Sequence, residues 1–481
     1  GVGAGEPRLA ALRATGRDHG GRVSARFAPR PVPGAPRPYH FPGQETRALP
    51  QGARLIAAPL PRVPLVTAVL VFHAAGAESD PAGREGLAAL TATMLVEGTE
   101  TRSGQALTDA IEALGATVWS NADWDATIIG VTAPTRHAAA AFALLTEMVR
   151  TPAFAAADLT RLQAEHAADR LQAMAEPRVL AELASQWCLY APGARYRRAL
   201  GGTTATIGAF TPDDLRAYWR THYAPSTLTV IVAGDATPDA AKRLVQPLVA
   251  GWEVPRPDPQ APQVSPRHAA PRVHLVHRAN APQSELRLTR IAVPRAHPDF
   301  FALTLMNAVF GGLFSSRINL NLREKHGYTY GANSGFDWRR SAGPWSASTA
   351  VGTDVTLPAI TELLAESARM QRGTCTDDEL ALATSFLTGV FPLRFETTQA
   401  VASALASQAI LDLPADYFDT YRERLGAVTV GDIDRVAAAH LDPAQLQLVV
   451  VGDAERLRDA LAGLGVGPVD EHDSATIESA P

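Results

Sequence analysis

Two thirty-residue segments of this chain align on one another without gaps, and that internal repeat limits the fold to a duplicated one. IGAFTPDDLRAYWRTHYAPSTLTVIVAGDA (207–236) superimposes on LGAVTVGDIDRVAAAHLDPAQLQLVVVGDA (425–454) at a constant spacing of 218 residues. In each copy a helix with a Thr and an Asp near its start leads through a proline turn (Pro225, Pro443) into an apolar strand closed by Gly-Asp. Each half also opens on strand-like runs, ARLIAAPL and LVTAVLVFHAAGA in the first, RVHLVHRA and SELRLTRIAV in the second, before long Ala- and Leu-rich helices. The predicted fold is therefore α+β: two homologous domains, each a mixed, mainly antiparallel sheet covered by helices. A concave surface between two such halves is a common place for a binding site.

Composition sets the boundaries. Residues 1–44 form a Gly-, Pro- and Arg-rich N-terminal arm without sustained periodicity, whose order must come from packing on something else. The Pro-rich run 253–271 reads as a linker between a first domain, 45–252, and a second, 272–465, with 466–481 a polar tail. A net charge of -5 lacks the basic excess of a nucleic-acid binder. Apolar stretches such as Pro64 to Ala77 fall short of the roughly 20 residues a membrane span needs, which predicts a soluble chain without a membrane span. The chain starts at Gly1 with no charged-then-apolar leader, which leaves the compartment open. Cys188 and Cys375 lie in different halves and suggest neither a disulfide framework nor a thiolate metal site.

One helix in the first half has a frame without a chemistry. In the inverted zinc motif H-x-x-E-H, two histidines one turn apart hold the ion and the glutamate activates water. The stretch GREGLAALTATMLVEGT (83–99) places Ala89, Ala92 and Thr93 at those positions, and none of them binds zinc tightly or accepts a proton near neutral pH. Around them stand Gly76, Glu78, Gly83, Gly86 to Ala88 and Gly98-Thr99, with Ser120-Asn121-Ala122 and Thr127 further on. In the second half, FGGLFSSRINLNLREKHGYTYGANSGF (310–336) carries a glycine turn at Gly311 and Gly312, a Ser-Ser-Arg helix start and a Leu-Arg-Glu-Lys segment.

Over about 45–465 these features resemble the pitrilysin or insulinase zinc peptidases, in the processing-peptidase-like branch built from two-domain subunits. The resemblance implies an edge strand at Asn121 and Ala122 to which an extended peptide adds through main-chain hydrogen bonds. It also implies substrate-binding positions at Gly311 and Gly312 and a substrate-side pair, an Arg and a Tyr seven residues later, falling on Arg323 and Tyr330. A guanidinium and a phenol both donate hydrogen bonds to a carbonyl oxygen as negative charge builds on it. A chain that has lost the zinc motif but kept this pair resembles the non-catalytic subunit of a heterodimeric metallopeptidase. It would bind no cofactor itself, while an HxxEH-bearing partner supplies zinc, and a peptide or unfolded polypeptide would occupy the chamber between them. Exported bacterial relatives point to the periplasm, with the cytoplasm as the other compartment.

Plainer readings stand beside these. Arg323 could be a solvated helix residue, Tyr328 and Tyr330 could pack on a sheet if the segment is extended, and the pair Gly311-Gly312 reads as a close-packed turn more readily than as a phosphate loop. Glu165 alone does not rescue a metal site. His268, His274 and His277 cluster near a strand start, but in sequence no acid or Cys completes a ligand set. Ser315 and Ser316 have no histidine in a nucleophile arrangement. The rival from another class is a structural or assembly subunit with this fold and no part in proteolysis; a third is an autonomous hydrolase with a non-standard site.

Overall fold

The computed structural model describes residues 37–257 and 264–478; residues 1–36 of the arm, 258–263 of the linker and 479–481 of the tail lie outside the described residues. The first sheet contains β1 (Glu45–Ala48), β2 (Arg54–Pro59), β3 (Leu65–Phe72), β4 (Thr117–Ala122), β5 (Thr127–Pro134) and β6 (Leu228–Gly234), in the order β1-β2-β6-β3-β5-β4. The second contains β7 (Val273–His277), β8 (Gln283–Ile291), β9 (Ala332–Phe336), β10 (Pro344–Gly352), β11 (Gln447–Gly452) and β12 (Val469–His472), in the order β12-β7-β11-β8-β10-β9. Both sheets are mixed: β2 runs parallel to β6, and β7 runs parallel to β11 and β12, among otherwise antiparallel pairs.

The duplication extends down to the helix caps. Helices Pro212–His222 and Val430–His440 both begin at a capping box, Thr211 with Asp214 and Thr429 with Asp432, in which the hydroxyl and the carboxylate reciprocally take the free amides of the first turn. Each helix is followed by a short turn, Pro225–Thr227 or Pro443–Gln445, and then by β6 or β11, every residue of which is buried. β3 and β6 read as near-continuous apolar runs rather than alternating ones because both faces of the sheet are covered.

The second cover is an exchange. Helix Thr398–Ile410, from the second half, lies on β3 and β6 of the first sheet, while helix Pro177–Leu189, from the first half, lies on β8 and β11 of the second. Buried Val401, Ala402 and Leu405 therefore share a core with Val69, Val71 and Ile231. The hydroxyls of Thr67 and Thr398 meet at 2.8 Å, and Arg287 donates to the Arg178 carbonyl at 3.2 Å. The halves thus interlock through their helices as well as through the linker.

Two sequence expectations change. Residues 39–41, assigned to the arm, pack into the second half's core: the Phe41 ring stacks on Phe418 at 4.3 Å, and Tyr39 lies edge-on to Phe391 at 6.0 Å. The segment set apart as a polar tail contributes β12, paired in parallel with β7. Its strand was hidden because only four residues pair, and they carry Asp470, Glu471 and His472. The run Phe300–Lys325 is long and apolar enough by composition to cross a bilayer. It is interrupted at 313–316 and more than half of its apolar window is buried within the protein, as expected of a core helix.

Candidate functional site

The helix of the lost zinc motif, α1 (Leu87–Met94), starts at Gly86, whose φ of +90° belongs to the left-handed region. A Cβ there would stand 2.5 Å from the Gly201 carbonyl oxygen, so Gly86 is required twice over. No side chain at Gly86 can cap the helix, and Asp80 does so from outside it. Its carboxylate accepts from the amides of Gly86 and Ala88, each at 2.8 Å, and from Arg195 Nη2 at 2.8 Å. Both partners of this ion pair are buried, and Arg195 also donates to the Ala77 carbonyl at 2.7 Å while its guanidinium lies 5.0 Å from the Trp124 ring. Burial pushes the Asp80 carboxyl above its ordinary range, opposed by Arg195 and the two amides. A second buried pair, Glu85 with Arg198, fixes the same turn.

The helix start is thus held by buried ion pairs, while the positions that the resemblance assigns to zinc ligands carry no ligating side chain. Ala92 is fully buried, Ala89 and Thr93 are half-buried, and the Thr93 hydroxyl donates to the Ala89 carbonyl at 3.1 Å. A catalytic zinc needs three protein ligands and an open position. Two methyl groups and an engaged hydroxyl do not fit it, and Glu165 is an exposed partner of Arg161 at 2.9 Å. No step through zinc follows from this chain's α1.

α1 packs beneath β4 and β5. β4 is an edge strand, paired through Thr117–Ala122 with β5 on one side only, so its other side presents backbone donors and acceptors to an incoming strand. The Asn121 side chain is exposed and Ala122 is buried.

In the second half, Arg323 and Tyr330 sit on the helical segment around 317–325 and the turn after it. Arg317 anchors that segment through two hydrogen bonds to the Glu379 carboxylate, at 2.6 and 2.7 Å, and Asn321 donates to Glu362 at 2.8 Å and Glu366 at 2.6 Å. The Arg323 guanidinium pairs with neighbouring Glu324 at 2.9 Å and lies 4.5 Å from the Phe314 ring. Tyr330 is 97% exposed, and among the described residues its hydroxyl has no partner. The segment is a turn rather than a strand, so packing on a sheet does not account for Tyr330, while Tyr328 stacks on His326 at 4.9 Å. Phe314 and Leu320, in the same stretch of chain, are 71% and 50% exposed. Gly311 is buried, and a Cβ on it would stand 2.5 Å from Ser334 Oγ and 2.6 Å from Ile318 Cδ1, so it serves close packing rather than contact with a ligand. Gly312 is exposed at the same turn. Among the described residues no hydrogen bond or ring contact joins the α1–β4 group to the Arg323–Tyr330 group.

A third group was invisible in the sequence. Arg339, buried, lies with its guanidinium 4.5 Å from the Trp124 ring and 4.4 Å from the Tyr196 ring, and the Arg340 amide donates to Asp125 Oδ2 at 2.9 Å. These contacts tie the loop after β4 to the second half. Burial, assisted by the charge of Asp125, pushes the nearby Glu78 carboxyl up to about 7. The signal available was the ADWDA run at 122–126, but its partners Arg339 and Arg340 lie more than two hundred residues away.

Comparison with known proteins agrees with this geometry. Residues 58–190 match the family profile described as Insulinase (Peptidase family M16), and residues 209–387 match the one described as Peptidase M16 inactive domain. An uncharacterized zinc protease of Streptomyces coelicolor is 27% identical over 275 residues, 55% of this chain and 60% of the relative. A second uncharacterized zinc protease, YmxG of Bacillus subtilis, is 24% identical over 240 residues, 49% of this chain and 56% of the relative. The matches thus span less than two thirds of these curated relatives. Among solved structures, a peptidase M16 inactive domain from Pseudomonas fluorescens superimposes with a TM-score of 0.79 at 24% identity, over 85% of this chain and 98% of that one. A protease from Helicobacter pylori does so with a TM-score of 0.80 at 16% identity, over 86% and 100%. The fold and both profiles together show that this chain belongs to the insulinase-type M16 peptidase family.

Proposed function

We propose that this protein is the non-catalytic, substrate-binding subunit of a heterodimeric zinc metallopeptidase. A zinc-bearing homologue supplies the metal, its ligands and the general base, and this chain closes the chamber with the second half's turn. Arg323 and Tyr330 donate hydrogen bonds to the scissile carbonyl as its oxygen gains charge. One observation carries the reading: the tyrosine is almost wholly exposed and unpartnered at the end of a firmly anchored segment, in a chain whose α1 cannot do the chemistry. Tyrosine is enriched at interfaces, where its ring packs on a second molecule and its hydroxyl keeps a polar partner. The exposed side of β4 supports a complementary role for Asn121 and Ala122 in holding extended peptide.

The test is reconstitution with an HxxEH-bearing M16 relative from the same genome, reading hydrolysis of a quenched fluorescent peptide and complex formation by sedimentation. Arg323→Ala and Tyr330→Phe are each expected to lower kcat by about 10²–10³, as removal of one transition-state donor does, while the complex still assembles. Full activity of both variants in an assembled complex refutes the shared site. No gain in cleavage on mixing supports a structural or assembly subunit instead.

A further inference from the structure

Three imidazoles, a thiol and a carboxylate meet where the end of the Pro177–Leu189 helix lies against the outer strands of the second sheet. His274, on β7, is fully buried; its Nδ1 is 3.2 Å from His472 Nε2 and 3.9 Å from Asp470 Oδ2, both on β12. Its Nε2 is buried without a hydrogen-bond partner. His268 arrives from the linker, whose Arg267 amide donates to the Leu189 carbonyl at 2.8 Å, and its ring centroid stands 5.5 Å from that of His274, with its own Nε2 buried and unpartnered. Cys188 comes from the other half of the molecule and is buried. One donor atom each from Cys188, His274 and His472 lie within 4.8 Å of one another, and so do one each from His268, His274 and Asp470.

A single N–H···N bond between His274 and His472 uses one nitrogen of each ring and leaves orphaned polar atoms in the interior, where such atoms are rare. Two nitrogens bound to one tetrahedral zinc at about 2.0–2.1 Å stand roughly 3.3 Å apart, close to the separation of the facing nitrogens here. A sulfur, imidazole and carboxylate set favours zinc-class ions over magnesium or calcium. Around it, Arg272 grips the Asp470 carboxylate with two hydrogen bonds of 2.6 Å, which fixes its orientation as outer-shell partners do. Arg267, 3.9 Å from the Trp187 ring, lies near Cys188, whose thiol burial pushes well above its ordinary range, opposed by the charge of Arg267. His277 is excluded, because its Nδ1 accepts from the Ala454 amide at 3.2 Å.

We propose that Cys188, His274 and His472 bind one zinc-class divalent cation, with His268 and Asp470 as the adjoining donors, and that the ion fastens the first half's exchanged helix to the edge of the second sheet. In the sequence the histidines lacked a completing ligand; the fold supplies three, from positions 188, 470 and 472. The site is distinct from α1 and serves cohesion of the two halves rather than peptide hydrolysis.

The experiment uses the full chain, stripped with chelator and titrated with Zn²⁺ and then with Co²⁺ as a spectroscopic probe. One equivalent of either ion is expected to bind, with a thiolate-to-cobalt charge-transfer band in the near ultraviolet and a raised Tm on zinc addition. Cys188→Ser should abolish the charge-transfer band, and His472→Ala should weaken zinc binding at least 100-fold. Thr93→Ala, on α1, should leave stoichiometry and affinity unchanged. Because His274 is buried and its variants could fail to fold, partly exposed His472 and His268 carry the test, with circular dichroism confirming the fold. Absence of stoichiometric binding by the folded wild-type chain, or unchanged binding in both Cys188→Ser and His472→Ala, overturns the proposal.

Discussion

The buried pair that holds α1 makes a quantitative prediction. Asp80 and Arg195 are within 2.8 Å of each other, both are shielded from solvent, and Asp80 also carries the first-turn amides of Gly86 and Ala88. Removing one member of a buried pair leaves an uncompensated charge and costs about 3–5 kcal/mol. Arg195→Met strands a carboxylate that keeps its two amide donors, and Asp80→Asn strands a guanidinium that keeps the carbonyls of Ala77, Arg198 and Leu200. Those residual bonds place each single variant near the lower end, about 3 kcal/mol. The double variant has no buried charge at this point, and the side-chain amide introduced by Asp80→Asn still offers α1 one acceptor, so its loss should be about 2–3 kcal/mol rather than the sum of about 6 kcal/mol. The coupling energy is then about 3 kcal/mol. Because a chain of this size need not unfold in one step, the readout is native-state hydrogen exchange of the α1 amides, which reports the local opening free energy, supported by Tm. Additive losses, with coupling under about 0.5 kcal/mol, would refute the reasoning that charge burial controls this turn.

Two further outcomes follow from the same region. Glu78 has a folded pKa of about 7 against an ordinary value of 4.5, so its contribution to stability is fully present below about 4.5 and is lost as pH rises to about 7; Glu78→Gln should therefore gain Tm over the wild type at pH 8 relative to pH 4, and a pH-independent difference would contradict the assigned cause. Gly86→Ala must adopt a left-handed φ and set a Cβ 2.5 Å from a backbone oxygen, which should cost about 3 kcal/mol or more, with α1 exchange accelerating before the global transition.

Much of the architecture could be read along the chain because it is written in local signals. The capping boxes at Thr211 and Thr429, the proline turns and the all-apolar β6 and β11 recur at fixed spacing, and each acts within a dozen residues. The frame around Ala89, Ala92 and Thr93 was equally local, as was the spacing of Arg323 and Tyr330. What escaped were the contacts between distant segments. An amphipathic face on Pro177–Leu189 announces that something covers it, but not that the cover is the second sheet rather than its own. Tyr39 and Phe41, in a segment without periodicity, gave no sign that they join the core, and four residues, three of them polar, gave no sign of β12.

By itself, then, the sequence determined that the fold is doubled, where its helices begin, and that α1 holds no donors for a metal, since propensity, capping and the chemistry of a side chain are properties of a short stretch. Only the tertiary structure decided that the halves trade helices, that Asp80 and Arg195 secure an inert helix, and that Cys188 faces His274 and His472. Burial and proximity depend on which surfaces the whole chain brings into contact, and no local pattern carries that information.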